Sequence, residues 1–402
     1  MKSALRRRPE NRRQYVIIFY MPYAFVEKQH DFDVLVAKLR THKYLSIDTE
    51  SNSMYVHKEQ LCLVQLASEH LNAVVDSLAV DIRGLAPIFA DKHIEKIFHS
   101  AEADIKTIKA SIPVKFENIF DVMLAAKYLG LKRCGLENMV KEHIGIELNK
   151  KFQKADWGRR PLMKEMLDYA IGDVLYLHKL RNMFAEELNK KGKLEEIKSE
   201  FAEVAELEPS RNEFDENGFF RIHEARQLNG RGLAVLRELY IFRERAARER
   251  NRPPFKIISE DLMFRLATAP KEALDNLSIF KGMSAYVLAN HGPWIKDAIQ
   301  YGLKAPEVQF PKRSAPPSSD KRVHFEGIRE RFKVLKAWRL ETANRRNMLP
   351  EAVLSNDILE KTALIDPKTA DELRSVRGFG PEKFVLYAEE MVKALRKPKK
   401  TA

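Results

Sequence analysis

The sequence predicts an α/β domain followed by two small all-α domains, and three observations carry that expectation. Between about Asp31 and Leu188, short β-branched and aromatic runs alternate with amphipathic helical spacing. Beyond residue 205 the strand pattern disappears and helical spacing alone continues. Within that second part a segment recurs. Ala247, Arg250, Asn251, Pro254, Ser259, Asp261 and Leu262 match Ala343, Arg346, Asn347, Pro350, Ser355, Asp357 and Ile358 at one offset (347 − 251 = 96). The register continues without a gap through Leu277 and Leu373, Lys281 and Arg377, and Gly282 and Gly378, which marks two copies of one helical module.

The elements follow in order. Phe32, Leu35, Val36 and Leu39 fall at helical spacing and set a first helix. Residues 44–50, 61–66 and 73–76 then read as strands, residues 82–89 as a helix and residues 95–99 as a further strand. Helices are expected near 103–110, 121–128 and 136–143. A single long helix is expected over 162–188, with Leu162, Met166, Tyr169, Asp173, Leu177 and Leu180 on one face. Residues 209–218, with Glu, Asp and a closing Gly218, read as a linker, and Pro306, Pro311, Pro316 and Pro317 with Ser318 and Ser319 mark a second, extended one. The resulting division is a basic arm (1–27), an α/β domain (28–205), a first helical module (225–303), a linker (304–321) and a second module (322–398).

Composition narrows the partners. Of 402 residues 32% are charged, and 70 Lys and Arg against 57 Asp and Glu leave a net +13. Such an excess favours a polyanion, with nucleic acid ahead of an acidic membrane surface. A hydrophobic fraction of 45% excludes a wholly disordered chain. Cys62 and Cys134 are too few for a disulfide framework or a cysteine-based zinc site, so a reducing, cytoplasmic setting is expected. The longest apolar stretch, 15–26, is broken by Pro22 and falls short of the ~20 residues of a membrane span. The arginine-rich start is interrupted by Pro9 and Glu10 and reads as a frayed basic arm rather than a transit peptide. No Gly-x-x-x-x-Gly-Lys occurs, which excludes a helicase motor of that type.

The chemistry starts at Asp48-Thr-Glu50. On a strand these two carboxylates share a face with Ser46, while Leu45, Ile47 and Thr49 point the other way. Their repulsion is relieved by a hard cation such as Mg²⁺ or Mn²⁺, or by water on an exposed strand. Asp104 lies in the turn after the strand ending at His99, with Glu102 as a competing ligand. Asp173 interrupts an apolar stripe one turn after Tyr169. Burying it unpaired costs several kcal/mol, so it needs a metal, a basic partner or a proton. Tyr169, taken alone, reads as a core aromatic.

In this order Asp48-x-Glu50, Asp104 and Tyr169-x-x-x-Asp173 resemble the three exonuclease motifs of the DEDD superfamily, Tyr subclass. The His subclass carries its histidine five residues before the last Asp, where this chain has Asp168. Leu61-Cys-Leu-Val-Gln65, Asp121 with Ala125-Ala126, and Trp157-Gly-Arg-Arg160-Pro-Leu162 narrow the likeness to the ribonuclease D family. The repeats look like its two "helicase and RNase D C-terminal" (HRDC) modules. The resemblance spans about residues 30–395 and implies a ribonuclease H-like mixed sheet followed by two HRDC domains.

It also implies hydrolysis of RNA from the 3′ end to nucleoside 5′-monophosphates, in tRNA 3′-end processing, with two Mg²⁺ or Mn²⁺ ions about 4 Å apart. Asp48, Glu50 and Asp173 would hold one ion and Asp48 with Asp104 the other. Tyr169 would orient the attacking water rather than act as a base, since a phenol with pKa near 10 stays protonated at neutral pH. The partner would be RNA, tRNA precursors in particular, met by a monomer.

Nucleic-acid contacts are expected at Met54, where relatives place an apolar wedge, and at Arg160, which the family match includes. Lys150, Lys151, Lys154 and Arg159 form with Arg160 a basic stretch suited to phosphates, in which Lys150 and Lys151 read first as a solvated loop. The repeated basic pairs Arg250/Arg346 and Lys281/Arg377 are expected on phosphates. Val376-Arg-Gly-Phe-Gly380 resembles a phosphate-approaching Gly-x-Gly turn, with Ser284 replacing the last glycine in the first copy. Two other readings stand beside the exoribonuclease: a DNA-directed 3′-5′ exonuclease, and a nucleic-acid-binding scaffold with an inactive nuclease site.

Overall fold

A computed structural model describes residues 22–209, 213–311, 319–376 and 378–396. The α/β part is built from β1 (Ala24–Val26), α1 (Gln29–Leu39), β2 (Tyr44–Ser51), β3 (Leu61–Ala67), β4 (Asn72–Asp76), α2 (Ala86–Phe89), β5 (Glu95–Phe98), α3 (Glu102–Ser111) and β6 (Ile119–Asp121). Five helices complete it: α4 (Val122–Tyr128), α5 (Leu136–Ile144), α6 (Lys164–Gly172), α7 (Leu177–Lys190) and α8 (Leu194–Ala205). The six strands lie in the order β1-β4-β3-β2-β5-β6. β2, β3 and β4 pair antiparallel, while β1, β5 and β6 join in parallel. This is the expected mixed sheet, ribonuclease H-like in arrangement.

β3 shows why the sheet sits at the centre. All seven of its residues are buried, so its near-continuous apolar run is covered on both faces. Gln65 is its one amide, and it lies directly across from Asp48 in the register.

Two strands went unread in the sequence. β1 and β6 are three residues each, too short to show alternation, and β1 falls inside the stretch read as a basic arm. Residues 1–21 of that arm lie outside the described residues. The expected long helix is in fact two. α6 stops at Gly172, Asp173 caps it, and i→i−3 turns carry the chain through Val174 to α7. Glycine and aspartate are poor helix formers, and the break frees the Asp173 side chain from the helix barrel.

The first helical module contains α9 (Gly230–Glu249), α10 (Glu260–Thr268), α11 (Pro270–Asp275) and α12 (Ala285–Lys304). The second contains α13 (Ser319–Arg346), α14 (Pro350–Val353), α15 (Asn356–Ile365) and α16 (Pro381–Arg396). Ser259 and Ser355 cap α10 and α15 in the same way, each accepting from a backbone N–H three residues on.

The first module's core extends beyond the expected 225–303 at both ends. Phe219 and Ile222 are buried in it, and Val308 and Phe310 of the second linker pack back onto it. Of the second linker, residues 312–318 lie outside the described residues, and α13 begins at Ser319.

The second module is fastened to the α/β part. Met348 and Ala352 belong to the exonuclease-side core. The Lys193 ammonium donates to the carbonyls of Tyr128 at 2.9 Å and of Arg346 at 2.7 Å, joining the two parts. Lys383, 2% exposed, reaches Glu200 at 2.7 Å.

Candidate active site

Asp48 and Glu50 stand two residues apart at the end of β2, where a bulge between Glu50 and Ser51 ends regular pairing with β3. Asp173 reaches them from the turn after α6. Carboxylate oxygens of Asp48, Glu50 and Asp173 all lie within 4.8 Å of one another. Among the described residues no ion-pair partner is found for any of the three.

That isolation raises their proton affinity. Burial, followed by repulsion from Asp48, Asp173 and Asp104, pushes Glu50 up to about 10. Asp173 is pushed up to about 7, by burial and then by Asp104. Asp48 rises well above the ordinary carboxylate range for the same two reasons, burial and the Asp173 charge. A cluster of acids without a base suits a divalent cation with oxygen ligands. Gln65 adds a second observation: both ends of its amide are buried without a hydrogen-bond partner, directly opposite Asp48. Ser46, on the same face, has an equally unpartnered hydroxyl. The residues therefore fit a cation with ordered water around it.

Asp104 is the one acid that stays outside the three-carboxylate set. It is 6% exposed on the first turn of α3 and accepts from the Thr49 hydroxyl at 2.6 Å. Thr49 thus does more than point away from the site, because it holds Asp104 against β2. The Asp104 carboxyl is raised by burial and then by the Asp48 charge, so the two acids feel each other. Glu102 is exposed and paired with Lys106 at 2.5 Å, which removes it as a competing ligand.

Asp121 positions this turn. Its carboxylate accepts from the amides of Ser100 (3.1 Å) and Ala101 (2.9 Å), and from Met123 (2.8 Å) and Leu124 (3.1 Å) at the start of α4. Ser100 has φ +64°, a left-handed conformation those bonds support. The sequence signal for Asp121 was its place beside Ala125-Ala126, with no chemical pattern of its own.

Tyr169 stands over the cluster, half-buried, with Trp157 stacked on it at 6.0 Å and Phe152 edge-on at 6.1 Å. Burial, then the charges of Asp173, Glu50 and Asp48, raise its phenol far above 10. The hydroxyl stays protonated and can only donate or accept a hydrogen bond. Asp168 faces elsewhere and accepts from the Tyr23 hydroxyl at 2.8 Å.

The expected nucleic-acid contacts divide. Met54 is 46% exposed on the loop beyond Glu50. That loop is held on both sides: Tyr55 donates to the Lys154 carbonyl at 2.6 Å, and His57 meets Glu244 of α9 at 2.7 Å. The His57 amide also donates to Asn251 at 3.2 Å. The first helical module therefore braces the rim of the site. Arg250 and Lys281 are exposed.

Arg160 and Arg346 are corrected by their contacts. Arg160 donates twice to Asp76 at 2.6 Å and to the carbonyls of Trp157, Arg159 and Cys62. All five of its N–H groups are committed, and none remains for a phosphate. Arg346 is paired with buried Glu196 at 2.6 Å, inside the joint between the second module and α8. Arg377 lies outside the described residues. Beside it, a Cβ on Gly380 would meet the Glu203 carboxylate at 3.0 Å, so an acid occupies the side from which a phosphate was expected. Lys150 pairs with Glu137, and Lys151 lies 5.3 Å over the Phe152 ring.

Among the described residues no helix is long and apolar enough to cross a membrane. Residues 23–189 match the family model of the 3′-5′ exonuclease domain, and residues 232–299 and 329–395 each match that of the HRDC domain. Ribonuclease D of Bartonella henselae is 28% identical over 371 residues, covering 90% of this chain and 88% of that protein. Ribonuclease D of Sphingobium indicum is 27% identical over 348 residues, 77% of this chain and 89% of that one. The crystal structure of Escherichia coli RNase D, an exoribonuclease involved in structured RNA processing, aligns at 22% identity with a TM-score of 0.65. It covers 94% of this chain and 100% of that one.

Proposed function

The chain belongs to the ribonuclease D family of 3′-5′ exoribonucleases, and from that premise we propose that it trims structured RNA precursors, tRNA among them, at a site formed by Asp48, Glu50, Asp104, Tyr169 and Asp173. The observation that carries the assignment is the convergence of Asp48, Glu50 and Asp173 within 4.8 Å with no base to neutralise them. Asp48, Glu50 and Asp173 would hold one divalent cation, and Asp104 with Asp48 a second. When bound, such cations lower the pKa of water and neutralise charge on the leaving oxygen.

The chain's own groups do the remaining work. Tyr169, kept protonated by the acids around it, offers a hydroxyl to orient the water in line with the scissile bond. Trp157 and Phe152 hold that ring at a fixed angle. Thr49 and Asp121 fix Asp104, and Gln65 presents an unpaired amide beside Asp48 to the water around the cations. Met54, exposed on its braced loop, suits the face of the terminal base. Products are nucleoside 5′-monophosphates, and the setting is the cytoplasm.

A time course on 5′-labelled tRNA with extra 3′ residues, beside the matching DNA, tests this in Mg²⁺, Mn²⁺ and EDTA. Stepwise shortening of the RNA that stops with EDTA and in Asp173→Asn is expected. Activity that survives Asp173→Asn would remove the site assignment, and preferential shortening of the DNA would remove the substrate assignment.

A further inference from the structure

The repeat lets one half of the molecule report on the other. The 96-residue offset (387 − 291 = 96) places α9 on α13 and α12 on α16. Phe242 meets His291 edge-on at 6.1 Å, and the matching pair, Trp338 and Tyr387, meets at 5.9 Å in the same manner. In the second copy this groove holds an anion. The Glu196 carboxylate, 7% exposed, enters it from α8 and takes Arg346 at 2.6 Å and the Tyr387 hydroxyl at 3.1 Å.

In the first copy the same groove is open, a cavity of about 310 Å³ lined by Arg245, Glu249, Arg250, His291 and Trp294. Among the described residues the Arg250 guanidinium, the counterpart of that of Arg346, has hydrogen bonds to Asn290 alone, at 3.1 Å and 3.4 Å. Among the described residues no ion-pair partner is found for Arg245, which stands where the second copy has Glu341. Trp294, 47% exposed, stands where the second copy has Glu390, an acid that takes Arg345 at 2.7 Å. Two acids of the second copy are thus replaced by a cation and an aromatic face, against one change the other way at Glu249.

We propose that this cavity between α9 and α12 binds a phosphodiester of the RNA substrate, Arg250 and Arg245 taking the phosphate and Trp294 the face of a neighbouring base. The inference rests on the RNA reading above. Burial and the Arg250 charge lower the His291 pKa, so the ring stays neutral and meets Phe242 edge-on without repelling the arginines. The volume suits about one nucleotide. Asn251, next to Arg250, holds the His57 loop, so a strand seated here leads toward the rim that carries Met54. The chemistry is that of single-strand grooves, a cation for the backbone and a ring for the base.

The test uses the full chain in EDTA, which prevents turnover, with anisotropy of a labelled single-stranded RNA across a salt series. Arg245→Gln with Arg250→Gln should weaken binding about tenfold and flatten the logarithmic salt slope by about 0.7 for each phosphate no longer neutralised. Trp294→Ala should weaken it about tenfold at unchanged slope. Unchanged thermal midpoints for both variants establish that they fold. Wild-type affinity and slope in both variants overturn the groove while leaving the substrate class standing. A wild-type chain that binds no RNA overturns both. Loss of polyglutamate binding in the variants, with RNA binding intact, also overturns the proposal, in favour of an acidic protein segment like that of Glu196.

Discussion

Removing divalent cations should make the stability of the exonuclease part fall as pH rises through neutrality. Asp173, with a folded value near 7, and Glu50, near 10, each hold a proton over a range in which the unfolded chain has released it. A raised carboxyl contributes its full stability below about pH 4 and loses it as pH climbs toward the folded value. Each proton retained costs about 1.4 kcal/mol per pH unit. The acids share one electrostatic field and are partly open to solvent, so one net proton is a conservative count. It gives a loss of about 3 kcal/mol between about pH 5 and about pH 7. Saturating Mg²⁺ should abolish the slope by taking the proton's place, and its apparent affinity should rise about tenfold per pH unit. Urea unfolding followed by Trp157 fluorescence in a chain with Trp294 and Trp338 replaced by Phe, in EDTA and in MgCl₂, measures both quantities, since Trp157 is 1% exposed beside Tyr169. A metal-free midpoint that stays level across that interval would refute the reasoning.

Other outcomes follow from the packing of the joints and the site. Arg346→Ala leaves buried Glu196 without its cation and should cost about 3–5 kcal/mol, read as a lower urea midpoint for the joint between α8 and the second module. Gly302→Ala puts a Cβ 2.5 Å from the Val235 Cα, so α9 and α12 must separate. About 1–3 kcal/mol of thermal stability should disappear. Asp121→Ala removes the acceptor of four amides and should lower kcat about tenfold or more with KM little changed, because Asp104 loses its seat. Tyr169→Phe keeps the packing on Trp157, so kcat should fall about tenfold to a hundredfold while cation affinity measured by calorimetry holds.

The acids were legible in the sequence because their chemistry leaves a periodic trace: Asp48 and Glu50 two apart on a strand, Tyr169 and Asp173 four apart on a helix. The fold class was legible for the same reason, since period two alternates with period 3.6 before residue 205 and helical spacing alone continues beyond it. What escaped was set by contacts distant in sequence. β1 and β6 are recruited by neighbours already in the sheet, and three residues carry no period. Helical spacing over 162–188 resumes beyond Asp173 and so hid the turn there, because hydrophobic spacing records which face is buried but not a change of axis. Arg160 and Arg346 look in sequence like any phosphate-binding arginine. Asp76, 84 residues from the first, and Glu196, 150 from the second, decide otherwise. Alternation places Thr49 on the face away from Asp48 and Glu50 but carries no sign that its hydroxyl reaches Asp104 on the first turn of α3.

Met348 and Ala352 lie in the core of a domain whose sequence match ended more than 150 residues earlier, at residue 189. For a chain made from its N-terminus, a ribosome that has reached residue 340 has produced every acid of the site yet left that corner of the core open to water. Completion of that core therefore waits on the arrival of the last module, and a truncation that spares all five motif residues but removes Met348 and Ala352 uncovers the apolar surface those side chains close.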